Sequence, residues 1–474
     1  MQTVWFGIHV LVRSWFMKMS SRVHRCLILS SIVLVSGLSS THAAGQVIHE
    51  DHAYTVSPGI AGWDHFGASI SSGRGLMAVG AWNAYSIPDH IPEQGFVYIY
   101  EAFTSEQIRI LYAPDPIPFG QFGFSIDMDE DVLIVGAPEG WRKIVFTESS
   151  GKAYLFDAQT GNELLSFEHA DPSLVGGFGQ AVAIDNGLAA IWGQTIEPSG
   201  TRYGSVFVFD AKTGEQINKF QPAEFGELNY SYGLNLDLDS GLLAVNEQVM
   251  RDGTPVGIVK IYDALTGAFV QQIEPQSSGT HTSFGMGISM DQGTIAVSSM
   301  AVQGADRRGA VFTFDVGTGN ELVKYTPCCG FYEISDNADV KIVDGVVGFG
   351  AFDITYGGGV VHLFDSHSGD LIHVLKPRWG GFEMFEISIA MSEGVIGVAH
   401  DKADDLVGSG RVYFFGPICS PDINRDNQLN FFDISAFLTA FNENNFAADF
   451  SNDVELDFYD INVFLAAYAE GCPN

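Results

Sequence analysis

The sequence predicts an all-β fold, a seven-bladed β-propeller closed by an N-terminal strand, with a small α-helical pair at the C-terminus. Three observations predict it. A sixteen-residue hairpin pattern recurs seven times, a second strand–turn–strand pattern follows most copies, and one strand too many near the start matches one strand too few at residue 417.

The hairpin pattern is clearest from Phe122, FGFSIDMDEDVLIVGA. It aligns without a gap to FGASISSGRGLMAVGA from Phe66, FGQAVAIDNGLAAIWG from Phe178, YGLNLDLDSGLLAVNE from Tyr232 and FGMGISMDQGTIAVSS from Phe284. Two looser copies start at Asp336 (DNADVKIVDGVVGFGA) and Phe385 (FEISIAMSEGVIGVAH). Apolar residues alternate on both sides of short turns such as Asp185-Asn186-Gly187 and Asp239-Ser240-Gly241, where Gly, Asn and Asp accept positive φ.

The second pattern reads GKAYLFDAQTGNELLSF, GSVFVFDAKTGEQINKF, GIVKIYDALTGAFVQQI, GAVFTFDVGTGNELVKY and GVVHLFDSHSGDLIHVL. Asp157, Asp210, Asp263, Asp315 and Asp365 each open a turn closed by glycine four residues later. An aspartate there accepts backbone N–H bonds, so these five read as turn caps and not as catalytic or metal-binding groups. Four antiparallel strands in a repeat of roughly 50 residues is the propeller pattern. A ring also removes the exposed edges that a solenoid of the same units would need to cap.

Closure follows from strand counting. Fourth strands end at Pro114, Pro222, Pro275, Pro327 and Pro377, and Val47 to Pro58 resembles such a strand standing alone. The seventh copy stops after its third strand, at Pro417. The N-terminal strand is expected to complete the last blade.

The windows beginning FG and often ending GA, with their GxVYxFD-like third strands, resemble the FG-GAP repeat family, known from the integrin α-chain propeller, over residues 46–417. The resemblance implies a binding or adhesion propeller. Calcium-binding members carry a D-x-D/N-x-D-G-type loop in the hairpin, and only Asp127, Asp129 and Asp131 in the second blade form such a run. On a strand these would alternate to one side rather than wrap an ion. The D-x-x-T-G turns are also similar to those of quinone-dependent dehydrogenase propellers. Those repeat a tryptophan docking motif, whereas Trp82, Trp141, Trp192 and Trp379 do not recur in register.

On the two faces of such a ring, the strand 1–2 and 3–4 turns are tight. The 2–3 and 4–1 connections are long, as at Trp82–Gln94, Pro138–Ser150, Gln194–Tyr203 and Val302–Arg308. Scaffold-held loops are where binding residues gather. This loop face holds Trp82, Tyr85, Trp141, Phe146, Tyr203, Tyr230, Phe331, Tyr332 and Trp379, which either offer aromatic platforms to a sugar or protein or pack the loops down. No Ser/His/Asp triad, histidine cluster or phosphate loop is present. Carboxylates meeting at the central channel leave a glycosidase or lyase as the alternative function, and a structural surface protein as the third.

Residues 1–44 have the layout of a secretory signal, with Lys18, Arg22 and Arg25 before the apolar run Cys26–Val35 and small residues at His42-Ala43-Ala44. Translation from Met17 or Met19 gives a signal of more usual length. The run is too short for a permanent membrane anchor. A secreted or envelope-associated protein is expected. Loss of the four basic residues in this stretch leaves 19 of the 23 Lys and Arg against 57 Asp and Glu. Such a surface repels phosphate backbones and anionic lipid.

Residues 419–474 contain a second repeat, DINRDNQLNFFDISAFLTAF from Asp422 and DFSNDVELDFYDINVFLAAY from Asp449. Oxygen donors stand at loop positions 1, 3, 5, 9 and 12: Asp422, Asn424, Asp426, Asn430 and Asp433, then Asp449, Ser451, Asp453, Asp457 and Asp460. This EF-hand-like spacing of hard oxygens predicts Ca²⁺ as the bound ion. Apolar helical patterns follow at Ile434/Phe437/Leu438/Phe441 and Ile461/Phe464/Leu465/Tyr468. In an oxidising compartment Cys419 and Cys472 form a reasonable disulfide closing the module, while Cys328 and Cys329 have no assignable state.

The loop–helix pair, with aspartate at position 12, resembles the dockerin type I repeat, and its flanking cysteines the GC-type dockerin. That resemblance implies docking to a cohesin-like or cell-surface partner, often beside polysaccharide-degrading enzymes. Position 6, glycine in the family, is Asn427 and Val454 here. Asn tolerates the left-handed conformation and Val resists it, so the first site should bind calcium more tightly than the second.

Overall fold

In the computed structural model, seven four-stranded antiparallel blades form a ring, and two helices follow near the C-terminus. The structure describes residues 50–55, 64–84, 93–102, 105–139, 150–171, 173–223, 231–276, 283–300, 309–326, 339–353, 358–375, 387–392, 395–400, 410–415, 429–442, 448 and 458–470. The chain separates into two units. One, Met1–Gln46 with Pro327–Gly330, lies outside these residues, and the other holds every element below.

Blade 1 is β2 (Phe66–Gly73), β3 (Leu76–Ala81), β4 (Phe96–Glu101) and β5 (Gln107–Leu111), with β1 (Glu50–Thr55) preceding it in the chain. Blade 2 is β6 (Ile126–Asp129), β7 (Val132–Ala137), β8 (Lys152–Asp157) and β9 (Glu163–Phe167). Blade 3 is β11 (Val182–Asp185), β12 (Leu188–Ile196), β13 (Arg202–Asp210) and β14 (Gln216–Phe220), with a short β10 (Val175–Gly176) added against β12. Blade 4 comprises β15 (Leu236–Asp239), β16 (Leu242–Arg251), β17 (Thr254–Asp263) and β18 (Phe269–Ile273). Blade 5 comprises β19 (Ile288–Asp291), β20 (Thr294–Met300), β21 (Gly309–Asp315) and β22 (Glu321–Tyr325). Blade 6 comprises β23 (Val340–Val343), β24 (Val346–Asp353), β25 (Gly358–Asp365) and β26 (Leu371–Leu375). Blade 7 has β27 (Ile387–Ser392), β28 (Val395–His400) and β29 (Arg411–Phe415), and its fourth strand is β1.

The ring therefore closes as the strand count predicts. Tyr54 of β1 lies opposite Val412 and Ala53 opposite Tyr413, antiparallel to β29. The innermost strands contact one another in sequence from β2 through β6, β11, β15, β19 and β23 to β27, which returns to β2.

The middle strands are apolar on both faces because both faces meet a neighbouring blade; β3 is buried along its whole length, as is all but the last residue of β12. The outermost strands are instead exposed or half-buried up to a buried last residue, with Ile108, Leu164, Val270 and Leu322 exposed on the rim. Between blades lies a repeated aromatic joint. Phe122 is fully buried edge-on to Tyr154 and Phe156 of β8, at 5.8 Å each, and Phe284 packs the same way on Phe312 and Phe314 of β21. The glycine after each such phenylalanine has positive φ, and at Gly123 and Gly179 there is no room for a Cβ. At Gly179 (φ 93°) a Cβ would meet the Lys152 carbonyl oxygen at 2.3 Å.

Two connections differ from the sequence expectation. Strands β12 and β13 run on to Ile196 and from Arg202, so the Gln194–Tyr203 segment is mostly paired strand. Thr195 and Ser205 join across it at 2.8 Å between hydroxyls. In blade 4, β16 and β17 meet at a two-residue turn, Asp252-Gly253. The alternation simply continues past the blade edge, which the window alignment does not register.

Candidate functional site

Helices α1 (Phe431–Asn442) and α2 (Phe458–Glu470) carry the second sequence repeat. Phe437 and Phe464, equivalent positions of the two copies, stack face to face at 4.1 Å in a small core with Ala440, Ala448, Ile434 and Ile461. Asp433 and Asp460, the twelfth loop residues, sit fully buried in the first helical turns. The Asn430 backbone N–H donates to Asp433 Oδ2 at 2.7 Å, and the Phe432 N–H to Asn430 Oδ1 at 2.8 Å, which caps the helix. The other seven loop donors, Asp422, Asn424, Asp426, Asp449, Ser451, Asp453 and Asp457, lie outside the described residues, as do Cys419, Cys472, Cys328 and Cys329. Phe431, Phe432, Phe458 and Tyr459 project into solvent at 68–73% exposure.

In the propeller, the acidic run of blade 2 has a structural task. Asp127 Oδ2 accepts the Ile184 N–H and Asp129 Oδ2 the Asn186 N–H, both at 2.8 Å, while Asp131 pairs with Arg74 at 2.5 Å. Other blades repeat the device. Asp237 accepts from Met290 N at 2.6 Å, Ser289 from Ile342 N at 3.2 Å, Asp291 from Asp344 N at 2.7 Å and Asp339 from Ile389 N at 2.9 Å. Ser69, Ser125 and Ser388 donate to Gly123, Gly179 and Ala68 carbonyls. Each such innermost-strand side chain reaches forward to the next blade and satisfies backbone groups at its open edge.

The same columns bring charges to the axis. Asp127, Asp237, Asp339 and Lys341 come from blades 2, 4 and 6 and interact electrostatically across the ring. They retain partial exposure to the channel yet are walled by protein on every side. Burial pushes Asp237 up to about 7; Lys341 pulls it down and Asp127 adds to the rise. Burial also raises Asp339, against the pull of Lys341. Burial opposes the charge on Lys341, but the carboxylates of Asp339, Asp127 and Asp237 outweigh it and hold the ammonium above its ordinary value. Reading column six of the repeat window down the seven copies shows Asp127, Asp237 and Lys341 in one register, a signal visible only when the copies are stacked. Among the described residues no group of three or more His, Cys, Asp or Glu is placed to hold a metal.

The five aspartates of the D-x-x-[T/S]-G turns cap them, as expected. Asp157, Asp210, Asp263, Asp315 and Asp365 each accept the N–H three residues on, at 2.7 Å.

On the loop face, blades 1 and 2 hold a cluster that motif reasoning does not find. His65 stacks on Trp82 at 4.4 Å and 18°, and Trp82 leans on Phe124 at 5.7 Å. His65 and Trp82 are half-buried. Nearby in the chain, the Gln121 and Phe122 N–H groups bond to the Glu93 and Gln94 carbonyls, and the Asn83 N–H to that of Asp64. Burial raises the Asp64 carboxyl, against a backbone hydrogen bond and the nearby His65. His65, Glu93, Phe119, Gln121 and Glu139 all have left-handed φ of 50–65° without being glycine. Such strain costs roughly 1–2 kcal/mol per residue. Of the other loop-face aromatics, Tyr203 is buried, its hydroxyl donating to Glu197 and its ring under Lys219, so it packs a loop and offers no platform. Tyr85, Trp141, Phe146, Tyr230, Phe331, Tyr332 and Trp379 lie outside the described residues.

Comparison with protein-family models matches residues 106–156 to the FG-GAP repeat. That stretch runs from the end of blade 1 through β8. The propeller thus carries an FG-GAP repeat. No curated protein matches the chain. Among solved structures it is similar to the β-propeller domain of the Trilobed protease from Pyrococcus furiosus, at 12% identity, covering 77% of this chain and 94% of that one, with a TM-score of 0.45. A europium-containing methanol dehydrogenase aligns at 10% identity over 78% and 93% of the two chains, TM-score 0.41. An acylaminoacyl peptidase from Pyrococcus horikoshii aligns at 12% over 72% of this chain and 51% of that one, TM-score 0.46. Among the described residues no helix is long and apolar enough to cross a membrane.

Proposed function

We propose that the chain is a secreted, non-enzymatic binding protein whose propeller loop face recognises an extracellular protein or polysaccharide and whose dockerin-like helix pair docks it to a cohesin-type or cell-surface partner. The observation that carries the docking half is the high exposure of the aromatic turns Phe431/Phe432 and Phe458/Tyr459, on helices whose own core is formed by Phe437 and Phe464. Large aromatics at two related positions are the anchors an interface uses. Calcium fits the donor set. Asp433 and Asp460 are carboxylates removed from water at the loop ends, where a hard cation would stabilise their charge, and the sequence supplies oxygen at the other loop positions. Asp422, Asn424, Asp426, Asn430 and Asp433 would hold one ion, and Asp449, Ser451, Asp453, Asp457 and Asp460 the second.

The test is retention of the full chain on a cohesin-bearing scaffold or cell-envelope fraction, in calcium and in EGTA. Retention should need calcium and fall when Phe431, Phe432, Phe458 and Tyr459 are changed to Ala. Equal retention in EGTA, or by the aromatic variant, would sink the docking half.

The axial carboxylates favour a second reading, a polysaccharide-active enzyme. A carboxyl raised to about 7 beside two further carboxyl groups is the kind of arrangement acid–base chemistry uses. Asp127, Asp237 and Asp339 each already receive a backbone N–H from the next blade, which explains them structurally. Release of reducing sugar from polysaccharides by the full chain, abolished in Asp237→Asn, would establish the enzyme and end the first reading.

A further inference from the structure

In blade 3, β11 and β12 meet at Asn186-Gly187, the one Asn-Gly dipeptide in the chain. The backbone nitrogen that follows an asparagine can close a cyclic imide on the side-chain carbonyl carbon, and a glycine there has no Cβ to hinder it. Asn186 is exposed, and Gly187 stands in open space, where a Cβ would meet nothing nearer than Lys212 Cε at 3.9 Å. The two residues take φ of 49° and 78°, the left-handed pair that a two-residue hairpin turn requires. A small set of hydrogen bonds holds this turn. The Asn186 N–H donates to Asp129 Oδ2 of blade 2 at 2.8 Å, the Asn186 side-chain amide to Asp185 Oδ2 at 3.2 Å, and the Ala211 N–H to the Gly187 carbonyl at 2.8 Å. Imide closure needs the Asn186–Gly187 peptide to rotate out of this arrangement, so each bond slows it.

We propose that Asn186 is a site of spontaneous deamidation, gated by the clasp from Asp129, and that its product loosens the junction of blades 2 and 3. The inference is independent of the docking and recognition readings. The Gly187 nitrogen gives its proton to hydroxide and bonds to Asn186 Cγ. The Cγ–Nδ2 bond breaks, and the nitrogen leaves as ammonia after taking a proton from water. Water then opens the imide at either carbonyl, leaving aspartate or isoaspartate with no change of oxidation state. The product is a carboxylate where a neutral amide stood. Asp129 and Asp185 flank it, both carboxyls already raised by burial, with Asp185 adding to the rise at Asp129 and Asp239 to that at Asp185. The new charge removes the donor to Asp185 and repels both neighbours. Isoaspartate also adds a carbon to the main chain, which a two-residue turn has no slack to absorb.

The full chain is held at pH 8 and 37 °C, folded and in urea, and sampled by peptide mass mapping and by enzymatic methylation of isoaspartate. Asn186 should convert ahead of every other asparagine, and about tenfold or more slowly when folded than in urea. Asp129→Ala should speed the folded reaction by about tenfold, the worth of one hydrogen bond to a charged group, and leave the urea rate unchanged. Asp291→Ala, which releases the equivalent clasp on Asp344 between blades 5 and 6, should leave Asn186 at the wild-type rate. The aged, more acidic form, separated by anion exchange, should unfold at a lower urea concentration than the parent, as should Asn186→Asp. The inference is overturned if Asn186 stays intact while the urea sample converts, or if the folded and unfolded rates agree. It is equally overturned if Asp129→Ala and Asp291→Ala act alike, or if the aged form unfolds at the parent's midpoint.

Discussion

Asp237 gives the residue scale its sharpest consequence. Its carboxyl keeps a proton up to about 7 in the folded chain and loses it near 3.8 when unfolded. Between those values the folded state binds more protons, so stability falls as pH rises through this window and levels off above it. Asp339, also raised by burial, adds a slope of the same sign. Asp237→Asn should flatten much of the decline, measured as urea midpoints from pH 4 to 8. Lys341→Met should act oppositely. With the raised ammonium gone, three carboxylates face one another, and the variant should lose about 3 kcal/mol at pH 8 and less at pH 5. Equal losses at the two pH values would contradict the axial pairing. Little of this was legible beforehand. A single window shows an aspartate on a strand, and only the ring places residues from blades 2, 4 and 6 within reach of each other. The loop-face cluster was still less visible, because His65 and Trp82 flank β2 and β3 while Phe124 comes from the next blade, and the three share no motif.

At the scale of the element, the FG dipeptide is a steric specification. Phenylalanine fills the joint between blades, and glycine turns the chain where the neighbouring backbone leaves no space. Gly179→Ala should therefore cost about 3 kcal/mol or more, from conformational strain plus a forced shift of the Lys152 carbonyl. Gly241→Ala, also at positive φ but with nothing within 4 Å, should cost about 1 kcal/mol, the strain alone. Similar losses in denaturant titrations would mean the close approach does not matter. The D-x-x-T-G turns yield an acid-side prediction. Hydrogen bonds from the backbone and hydroxyl of Thr160, with the carboxylate accepting, hold Asp157 below its ordinary range, so its contribution is present above pH 3.8 and fades as the carboxyl protonates. Asp157→Ala should lower the melting temperature slightly at pH 7 and not at pH 2. These elements were readable because alternation and turn chemistry are local. The long hairpins of blades 3 and 4 were not, since nothing in β12 or β16 marks where a strand leaves the blade edge.

For the whole molecule, closure by β1 was legible as a missing strand and a surplus one, and pairing with β29 bears that out. Deleting residues 47–58 should leave β29 an open edge, broaden the cooperative unfolding transition and promote association, seen by calorimetry and size-exclusion chromatography. An unchanged monomer with an unchanged transition would count against the closed ring. The side-chain bonds between innermost strands give this ring an arrow. Ser69 holds blade 2, Ser125 and Asp127 hold blade 3, Asp237 holds blade 5 and Asp339 holds blade 7, in the order in which a ribosome delivers them. A nascent chain thus extends each clasp before the sheet it will grip has been made, and growth can proceed as a spiral whose every step waits for its successor. Among these clasps in the described residues, the grip of Ser388 on Ala68 runs, like the β1–β29 pairing, between the newest part of the spiral and the oldest, so the first blade must stay ready, with its partner absent, until almost the entire propeller has been synthesised.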